Sequence, residues 1–153
     1  MINSAVIWTD GACSTDTKVG GWAMAGIAII DDIPQIVDEG ASRKDTTNNE
    51  MELIAFYNAV LYAYKNKIKH LTVYADSSYV VNAIYVGWLR KWSKNGWKTT
   101  EGKDIKNMSI WQKLYKLCYE RGIEVTAMKV KGHANDVMNG YVDMKAVEFK
   151  SGA

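Results

Sequence analysis

The sequence predicts a single α/β domain with a five-stranded mixed sheet flanked by helices. Five short runs of apolar and β-branched residues are spread along the chain, and helix-capping signals lie between the later ones. Only turns separate the first three runs, which favours antiparallel strands, whereas helical segments precede the fourth and the fifth, which favours strands parallel to the first. The chain of 153 residues, 48% of them hydrophobic, is long enough to bury one core. We therefore expect one domain over residues 1–153.

The three N-terminal strands are predicted from apolar runs and the turns between them. Residues 5–8 form a wholly apolar run, which we expect to end in a turn at Asp10 and Gly11. Residues 21–30 and 35–39 predict a second and a third strand, joined as a hairpin through the turn-forming residues 31–34.

A capping pattern predicts the first helix. Thr47 and Glu50 have the spacing of a capping box, in which each side chain satisfies a free backbone donor near the other residue. Apolar residues then recur with a helical period, at Leu53, Phe56, Tyr57, Val60 and Tyr64. We expect this helix to run to about Lys65 and to bury one face.

The second half of the chain repeats the order of strand and helix. Residues 71–75 predict a fourth strand that ends at Asp76, and the two serines that follow can cap a helix that runs to residue 86. Further apolar patterns predict, in order, a helix that ends near residue 122, a fifth strand over residues 125–130 and a last helix over residues 140–150.

Composition argues against a membrane protein and against a disulfide scaffold. Charged or amide residues interrupt every apolar run before it reaches the roughly 20 residues that a membrane helix needs, and the N-terminus lacks the features of a secretory signal. Cys13 and Cys118 have no zinc-ligand spacing, so we expect free thiols in a reducing compartment. We expect a soluble, cytoplasmic monomer without a membrane partner.

The distribution of charge is more informative than its sum. The net charge is only +2, but basic residues crowd the stretch 90–106, where tryptophans are interleaved with them. Aromatic and basic residues mixed in one segment are typical of nucleic-acid binding.

Two aspartates follow predicted strands at the edge of the sheet where ligands of α/β proteins gather. Asp10 and Asp76 each close an apolar strand, and parallel strands present their carboxyl ends at the same edge. Aspartate also forms turns and caps helices, so either residue alone is better explained as a cap.

Two further acids, Glu52 and Asp143, extend this pattern. Glu52 is predicted in the first turn of the first helix, at the border of its buried face, and Asp143 near the start of the last helix. Each could instead complement the positive end of its helix dipole. Four carboxylates suit a hard cation such as Mg²⁺, and two such ions can drive an in-line phosphoryl displacement. The spacing leaves open whether the four acids meet.

Four motifs resemble those of type 1 ribonuclease H, in order between about residue 4 and residue 147. They are TDGAC from Thr9, TTNNEMEL from Thr46, YADSSY from Tyr74 and VKGH from Val130. TDG alone is a weak signal, but the combination at these separations is specific. The resemblance implies the ribonuclease H-like fold and an endonuclease that hydrolyses the RNA strand of RNA–DNA hybrids by a two-metal mechanism, with Mg²⁺ or, in its place, Mn²⁺.

The resemblance also implies roles for individual residues. The four metal-binding carboxylate positions fall on Asp10, Glu52, Asp76 and Asp143. His133 takes the position of the histidine that assists proton transfer or product release, although without the VKGH pattern it would be explained as a surface-loop histidine.

Substrate contacts are implied at two places. Cys13, Asn48 and Asn49 resemble positions that contact the hybrid near its minor groove, although turn and cap roles also explain them. Residues 88–98 resemble a basic protrusion that grips the DNA strand, with candidate contacts at Trp88, Arg90, Lys91, Trp92, Lys94, Trp97 and Lys98. The alternative for this segment is a solvated amphipathic helix whose tryptophans pack against the protein.

Some positions depart from the family pattern. Residues 14–19 replace the usual glycine- and proline-rich turn, Asp16 stands where an asparagine is frequent, Glu50 where a basic residue is common, and Ser78 where a larger amide is common. These departures leave hybrid affinity and sequence preference open.

Two other functions fit the same motifs. The first is a non-catalytic hybrid-binding module, because fold alone does not determine function; the presence of all four acids argues against it. The second is the nuclease domain of a larger polymerase. The length, the initiating Met and the presence of the whole protrusion favour a free-standing protein instead.

Overall fold

Five strands form one mixed sheet in the computed structural model, which describes residues 2–130 and 136–152. Their bounds are β1 Ser4–Cys13, β2 Gly20–Ile30, β3 Ile33–Arg43, β4 His70–Ala75 and β5 Glu124–Lys129. The order across the sheet is β3-β2-β1-β4-β5. The β1–β2 and β2–β3 pairs are antiparallel, whereas the β1–β4 and β4–β5 pairs are parallel. The predicted fold class, a mixed sheet flanked by helices, is confirmed.

Within the described ranges, five α-helices cover the two faces of the sheet. Their bounds are α1 Asn48–Lys65, α2 Ser78–Tyr85, α3 Trp88–Lys94, α4 Met108–Tyr115 and α5 Val137–Ser151. A π-helical turn, Lys116–Glu120, continues α4. The larger core lies between the sheet and α1, α2, α3 and α4, around Ile7, Phe56 and Trp111. A smaller core on the other face packs Val142 and Ala146 of α5 on β2. No helix within the described ranges is long and apolar enough to cross a bilayer.

The first strand does not end where the sequence analysis expected. β1 continues through Asp10 and Gly11 to Cys13, which pairs with Gly20 of β2. The turn lies instead in the residues that follow Cys13, where the Ser14 N–H donates to the Val19 carbonyl. The prediction of a turn at Asp10 was wrong because pairing with β2, a contact that a local pattern does not contain, extends the strand.

The hairpin between β2 and β3 is shorter than predicted. Asp31 and Asp32 both have positive φ, 53° and 64°, and Ile30 pairs directly with Ile33. Two residues with positive φ are typical of the tight turns that match the twist of a hairpin. Pro34 therefore lies within β3 rather than in the turn, and it is tolerated there because β3 is an edge strand.

Both predicted helix caps near the sheet edge are present. The Thr47 side chain accepts a hydrogen bond from the Glu50 N–H at the start of α1, and Ser77 caps α2 in the same way. The Glu50 side chain instead accepts from the Thr46 hydroxyl, at 2.5 Å. Of the two hydrogen bonds of the predicted capping box, the described contacts thus contain the one from the Glu50 N–H to the Thr47 side chain.

Candidate active site

Asp10 and Asp76 lie side by side on neighbouring parallel strands. Thr9 of β1 pairs with Ala75 of β4, so the residue after each reaches the same edge of the sheet. Asp10 is buried, with 3% of its surface exposed. Asp76 follows the end of β4 and lies closer to solvent. The convergence that the strand pattern predicted for these two aspartates is present in the structure.

Glu52 joins them because α1 approaches β1 very closely at Gly11. A Cβ atom at Gly11 would lie 2.4 Å from the Glu52 nitrogen and 2.4 Å from the Met51 carbonyl carbon, so only glycine fits without displacing the helix. One carboxylate oxygen from each of Asp10, Glu52 and Asp76 lies within 4.8 Å of the others. Glu52 is the fifth residue of α1, just beyond the first turn in which it was expected.

Asp143 lies at the rim of this cluster, on α5. The helix begins at Val137, with Asp136 as its cap, and not near residue 140 as the sequence predicted. Asp143 is therefore in the second turn, beyond the part of the helix where the dipole acts most strongly. Its carboxyl group raises the pKa of Asp10, and its charge raises the pKa of Asp76. All four predicted acids thus contribute to one electrostatic cluster.

Burial and crowding raise the pKa values of these carboxyl groups. Burial raises the pKa of Asp10 to about 7, and the charge of Asp76 acts in the same direction. Burial, followed by the charge of Asp10, raises the pKa of Glu52 to about 10. Burial and the charge of Asp143 also raise the pKa of Asp76. Each shift has the sign expected when like charges share a desolvated site.

The donor set fits a hard divalent cation. Glu52 Oε2 is buried and has no hydrogen-bond partner among the described residues. An orphaned carboxylate oxygen in a cluster of acids is costly unless a cation binds it. Carboxylate oxygens are the ligands that Mg²⁺ and Mn²⁺ prefer. Asp10, Glu52 and Asp76 could hold such an ion, with Asp143 beside them.

His133 belongs to residues 131–135, which lie outside the described ranges. Its role in proton transfer or product release therefore stays a prediction.

The residues expected near the minor groove form a connected edge beside the acids. The Cys13 N–H donates to Asn48 Oδ1 at 2.7 Å, and the Cys13 thiol donates to the Thr46 carbonyl at 3.3 Å. Glu50 binds the Thr46 hydroxyl and lies 3.4 Å from the Arg43 guanidinium. Its departure from the family pattern therefore has a structural role, because it ties the turn before α1 to the helix.

Asn49 lies on the wall of an open pocket of about 560 Å³ next to this edge. Sequence reasoning missed three residues of that pocket, Tyr79, Lys106 and Asn107. The Tyr79 hydroxyl accepts hydrogen bonds from Asn107 Nδ2 at 3.2 Å and from the Trp111 indole at 3.0 Å. No local pattern indicates them, because Tyr79 lies on α2 whereas Lys106 and Asn107 lie in the turn before α4.

The tryptophans of the basic segment are divided between core and surface. Trp92 packs edge-on against Trp111, and Trp97 packs edge-on against Tyr115, so both rings are partly buried against the larger core. Trp88 is 38% exposed. Packing therefore explains part of this aromatic pattern, and substrate contact by the three rings stays a prediction.

The cations of this segment lie on the surface. The exposed ones are Arg90, Lys91, Lys94 and Lys98. The Arg90 guanidinium lies over the Tyr119 ring, 5.5 Å from its centroid, and Lys98 forms an ion pair with Asp104. These exposed cations could therefore contact the phosphates of a nucleic-acid backbone.

Comparison with known proteins reveals relatives along almost the whole chain. The family model described as RNase H matches residues 3–150. A protein named Ribonuclease H from Caldicellulosiruptor saccharolyticus is 41% identical over 142 residues, which cover 93% of this chain and 92% of that protein. Another Ribonuclease H, from Chlorobium chlorochromatii, is 40% identical over 148 residues, which cover 97% of this chain and 96% of that one.

A solved structure shares the fold. It is the crystal structure of LC9-RNase H1, described as a type 1 RNase H with the type 2 active-site motif, and it superposes with a TM-score of 0.83 at 24% identity. The alignment covers 99% of this chain and 74% of that one. Together, the family model and the two relatives at about 40% identity show that this chain belongs to the RNase H family.

Proposed function

We propose that this protein is a metal-dependent endoribonuclease that hydrolyses the RNA strand of RNA–DNA hybrids by a two-metal mechanism. One observation carries the proposal: Asp10, Glu52 and Asp76 present carboxylate oxygens within 4.8 Å of one another at the edge of the sheet. Membership of the RNase H family and the names of the relatives support the choice of substrate.

The carboxylates would hold the metal ions and orient the reacting phosphate. When bound, divalent ions at such a cluster supply an activated water and neutralise charge on the phosphate that is attacked. Asp10 is buried at the centre of the cluster, where its position is set by β1 and by the approach of α1. Glu52 presents a carboxylate oxygen to the same site, and the exposed Asp143 would contribute from the solvent side.

The acids alone would repel a nucleic acid. Four carboxylates near one point oppose the approach of phosphate until cations neutralise them, so metal binding and substrate binding should be coupled. We propose Mg²⁺ as the working ion, with Mn²⁺ as an alternative, because both accept oxygen ligands.

The substrate would be gripped on both sides of the metal centre. Cys13, Asn48 and Asn49 lie at one end of β1 and at the start of α1, where they can contact the hybrid next to the scissile bond. The exposed cations of residues 88–98 lie on a separate helix and loop, which suits contact with the phosphates of the DNA strand.

A direct assay tests the proposal. The full chain is incubated with end-labelled RNA–DNA hybrid, duplex DNA and duplex RNA, in Mg²⁺, in Mn²⁺ and in EDTA. We expect the RNA strand of the hybrid to be cut, only when a divalent ion is present, and the DNA strand to stay intact. Hybrid binding without cleavage in either metal would indicate a non-catalytic binding module instead, and cleavage in EDTA would contradict the metal dependence.

A further inference from the structure

A lysine lies beside the acidic cluster, at a position that no motif marks. Lys129 is the last residue of β5, and it pairs in register with Ala75, the residue before Asp76. Its ammonium donates a hydrogen bond to the Ser78 hydroxyl at 2.5 Å. Its charge also reaches Asp76, where it opposes the rise in the pKa of that carboxyl. The side chain is exposed, so the ammonium faces solvent next to the acids.

This position does not favour the stability of the fold. Ser78 is the first residue of α2, and the backbone N–H groups at the start of a helix carry partial positive charge, which repels a cation. The hydrogen-bond partner of Lys129 is a neutral hydroxyl, and within residues 2–130 and 136–152 its ammonium forms no ion pair. Its charge therefore remains available to an anion that arrives from solvent.

We infer that Lys129 binds a backbone phosphate of the cleaved strand, adjacent to the phosphate at which cleavage occurs beside the acidic cluster, and that Ser78 is the positioning residue for its ammonium. This inference rests on the proposed function. Lys129 is the last residue of β5, and Asp76 directly follows the neighbouring strand, β4. Adjacent strands lie about 4.8 Å apart. A strand with a phosphate at the cluster carries further phosphates on either side, and lysine binds phosphate as a compact point charge.

The location also distinguishes this contact from the basic segment of residues 88–98. That segment lies on α3 and the loop after it, whereas Lys129 lies at the carboxylate edge of the sheet itself. Ser78 is one of the positions at which the sequence departs from the family pattern, and its hydroxyl accepts the hydrogen bond from Lys129.

The test compares three variants of the full chain with the wild type at saturating Mg²⁺. Lys129→Met removes the charge and keeps the length of the side chain, Lys129→Arg keeps the charge, and Ser78→Ala removes the positioning hydroxyl. Lys69→Met is the matched control, because Lys69 is also exposed and lies just before β4, at the opposite edge of the sheet. KM, kcat and the salt dependence of hybrid binding are measured for each, with the thermal midpoint as a check on folding.

For Lys129→Met, we expect KM to rise on the order of tenfold, as suits the loss of one charged hydrogen bond, with kcat unchanged because binding is lost equally in the ground and transition states. The log-log salt slope should fall by about 0.9, the value for one phosphate contact. Lys129→Arg should keep most of the affinity, Ser78→Ala should show a smaller rise in KM, and the control should match the wild type.

Other results would overturn the inference while leaving the proposed function intact. If Lys129→Met cleaves hybrid with wild-type KM and salt slope, the lysine does not touch the substrate. If the variant changes only the Mg²⁺ concentration needed for half-maximal rate, Lys129 acts on the metal site through Asp76. If it lowers the thermal midpoint and the same loss of activity appears in Lys129→Arg, its role is structural. Failure of the wild type to cut any hybrid would instead contradict the proposed function itself.

Discussion

Asp10 is the residue at which metal binding and the stability of the metal-free protein oppose each other. It is buried among acids that raise its pKa to about 7, so its ionised form is unfavourable until a cation is bound. We expect Asp10→Asn to abolish cleavage of the hybrid in Mg²⁺ and to raise the thermal midpoint of the metal-free protein at pH 8, because the substitution removes a buried like charge.

Activity and thermal unfolding in EDTA check this prediction together. Asp32→Asn is the control, since Asp32 is an exposed aspartate in the hairpin turn between β2 and β3, at the opposite edge of the sheet. It should leave both quantities near the wild-type values. Cleavage by Asp10→Asn at the wild-type rate would show that this carboxylate does not hold the metal.

His133 is the other residue whose role a substitution can define. We expect His133→Ala to lower turnover by a factor on the order of 10² or less, as suits an aid to proton transfer or product release, and to leave the affinity for Mg²⁺ unchanged in calorimetry. His70→Ala is the control, because His70 pairs with Glu124 at the opposite edge of the sheet, at 2.8 Å. Lost metal affinity in His133→Ala would make the histidine a ligand.

At the scale of elements, the approach of α1 to β1 sets the position of Glu52. We expect Gly11→Ala to force these elements apart, because the new Cβ would overlap backbone atoms of Met51 and Glu52. The variant should lose at least about 1–3 kcal/mol of stability, the usual cost of overpacking, and most of its cleavage activity. Thermal unfolding and hybrid cleavage provide the measurements.

A second glycine serves as the matched control. Gly140 lies inside α5, and among the described residues a Cβ there would meet no atom within 4 Å. Gly140→Ala should therefore stabilise the protein, by about 1 kcal/mol from helix propensity, without loss of activity. If both glycine variants behave alike, close packing at Gly11 is not what holds Glu52 in the cluster.

The helix and loop of residues 88–98 form an element that should bind without reacting. Replacing Lys94 and Lys98 together with Ala removes exposed charge, so we expect KM to rise while kcat changes little. The salt slope should flatten by up to about one unit per lost phosphate contact. The control is the double variant Lys67→Ala and Lys69→Ala, because both lysines are exposed and lie before β4. If the Lys94 and Lys98 variant keeps the wild-type KM and salt slope, the segment is an ordinary solvated helix that does not contact the substrate.

For the whole molecule, the acidic cluster couples stability to pH and to metal. The pKa of Asp10 rises from 3.8 to about 7 on folding, so the metal-free folded state holds a proton that the unfolded state has released. The stability that the proton on Asp10 contributes to the folded state is complete below about pH 4 and is lost as the pH rises through about 7. Glu52, with a pKa of about 10, extends the same trend to higher pH.

We therefore expect Mg²⁺ to raise the thermal midpoint more at pH 8 than at pH 5. Metal binds the ionised carboxylates, so it compensates for the repulsion that is greatest at high pH, whereas protons compete with it at low pH. Scanning calorimetry with and without Mg²⁺ measures the difference at each pH. An equal rise at both pH values would mean that no carboxylate proton is displaced, which would contradict the assignment of this cluster as the metal site.

Local patterns in the sequence were sufficient for the order of the strands and of the helices other than α3, which the family resemblance implied. The caps at Thr47 and Ser77 act within one helical turn, and apolar periodicity reports directly which face of a helix or strand is buried. The positions of Asp10 and Asp76 at the edge of the sheet also followed, because parallel strands share a carboxyl edge.

Contacts between distant segments settled the rest. Pairing with β2 carries β1 past Asp10 to Cys13. The meeting of Asp10 with Glu52 depends on the close approach of two backbones at Gly11, and the position of Lys129 beside Asp76 depends on the register between β4 and β5. These are distances between residues far apart in the chain, and periodicity and capping report only on neighbours within a turn or two.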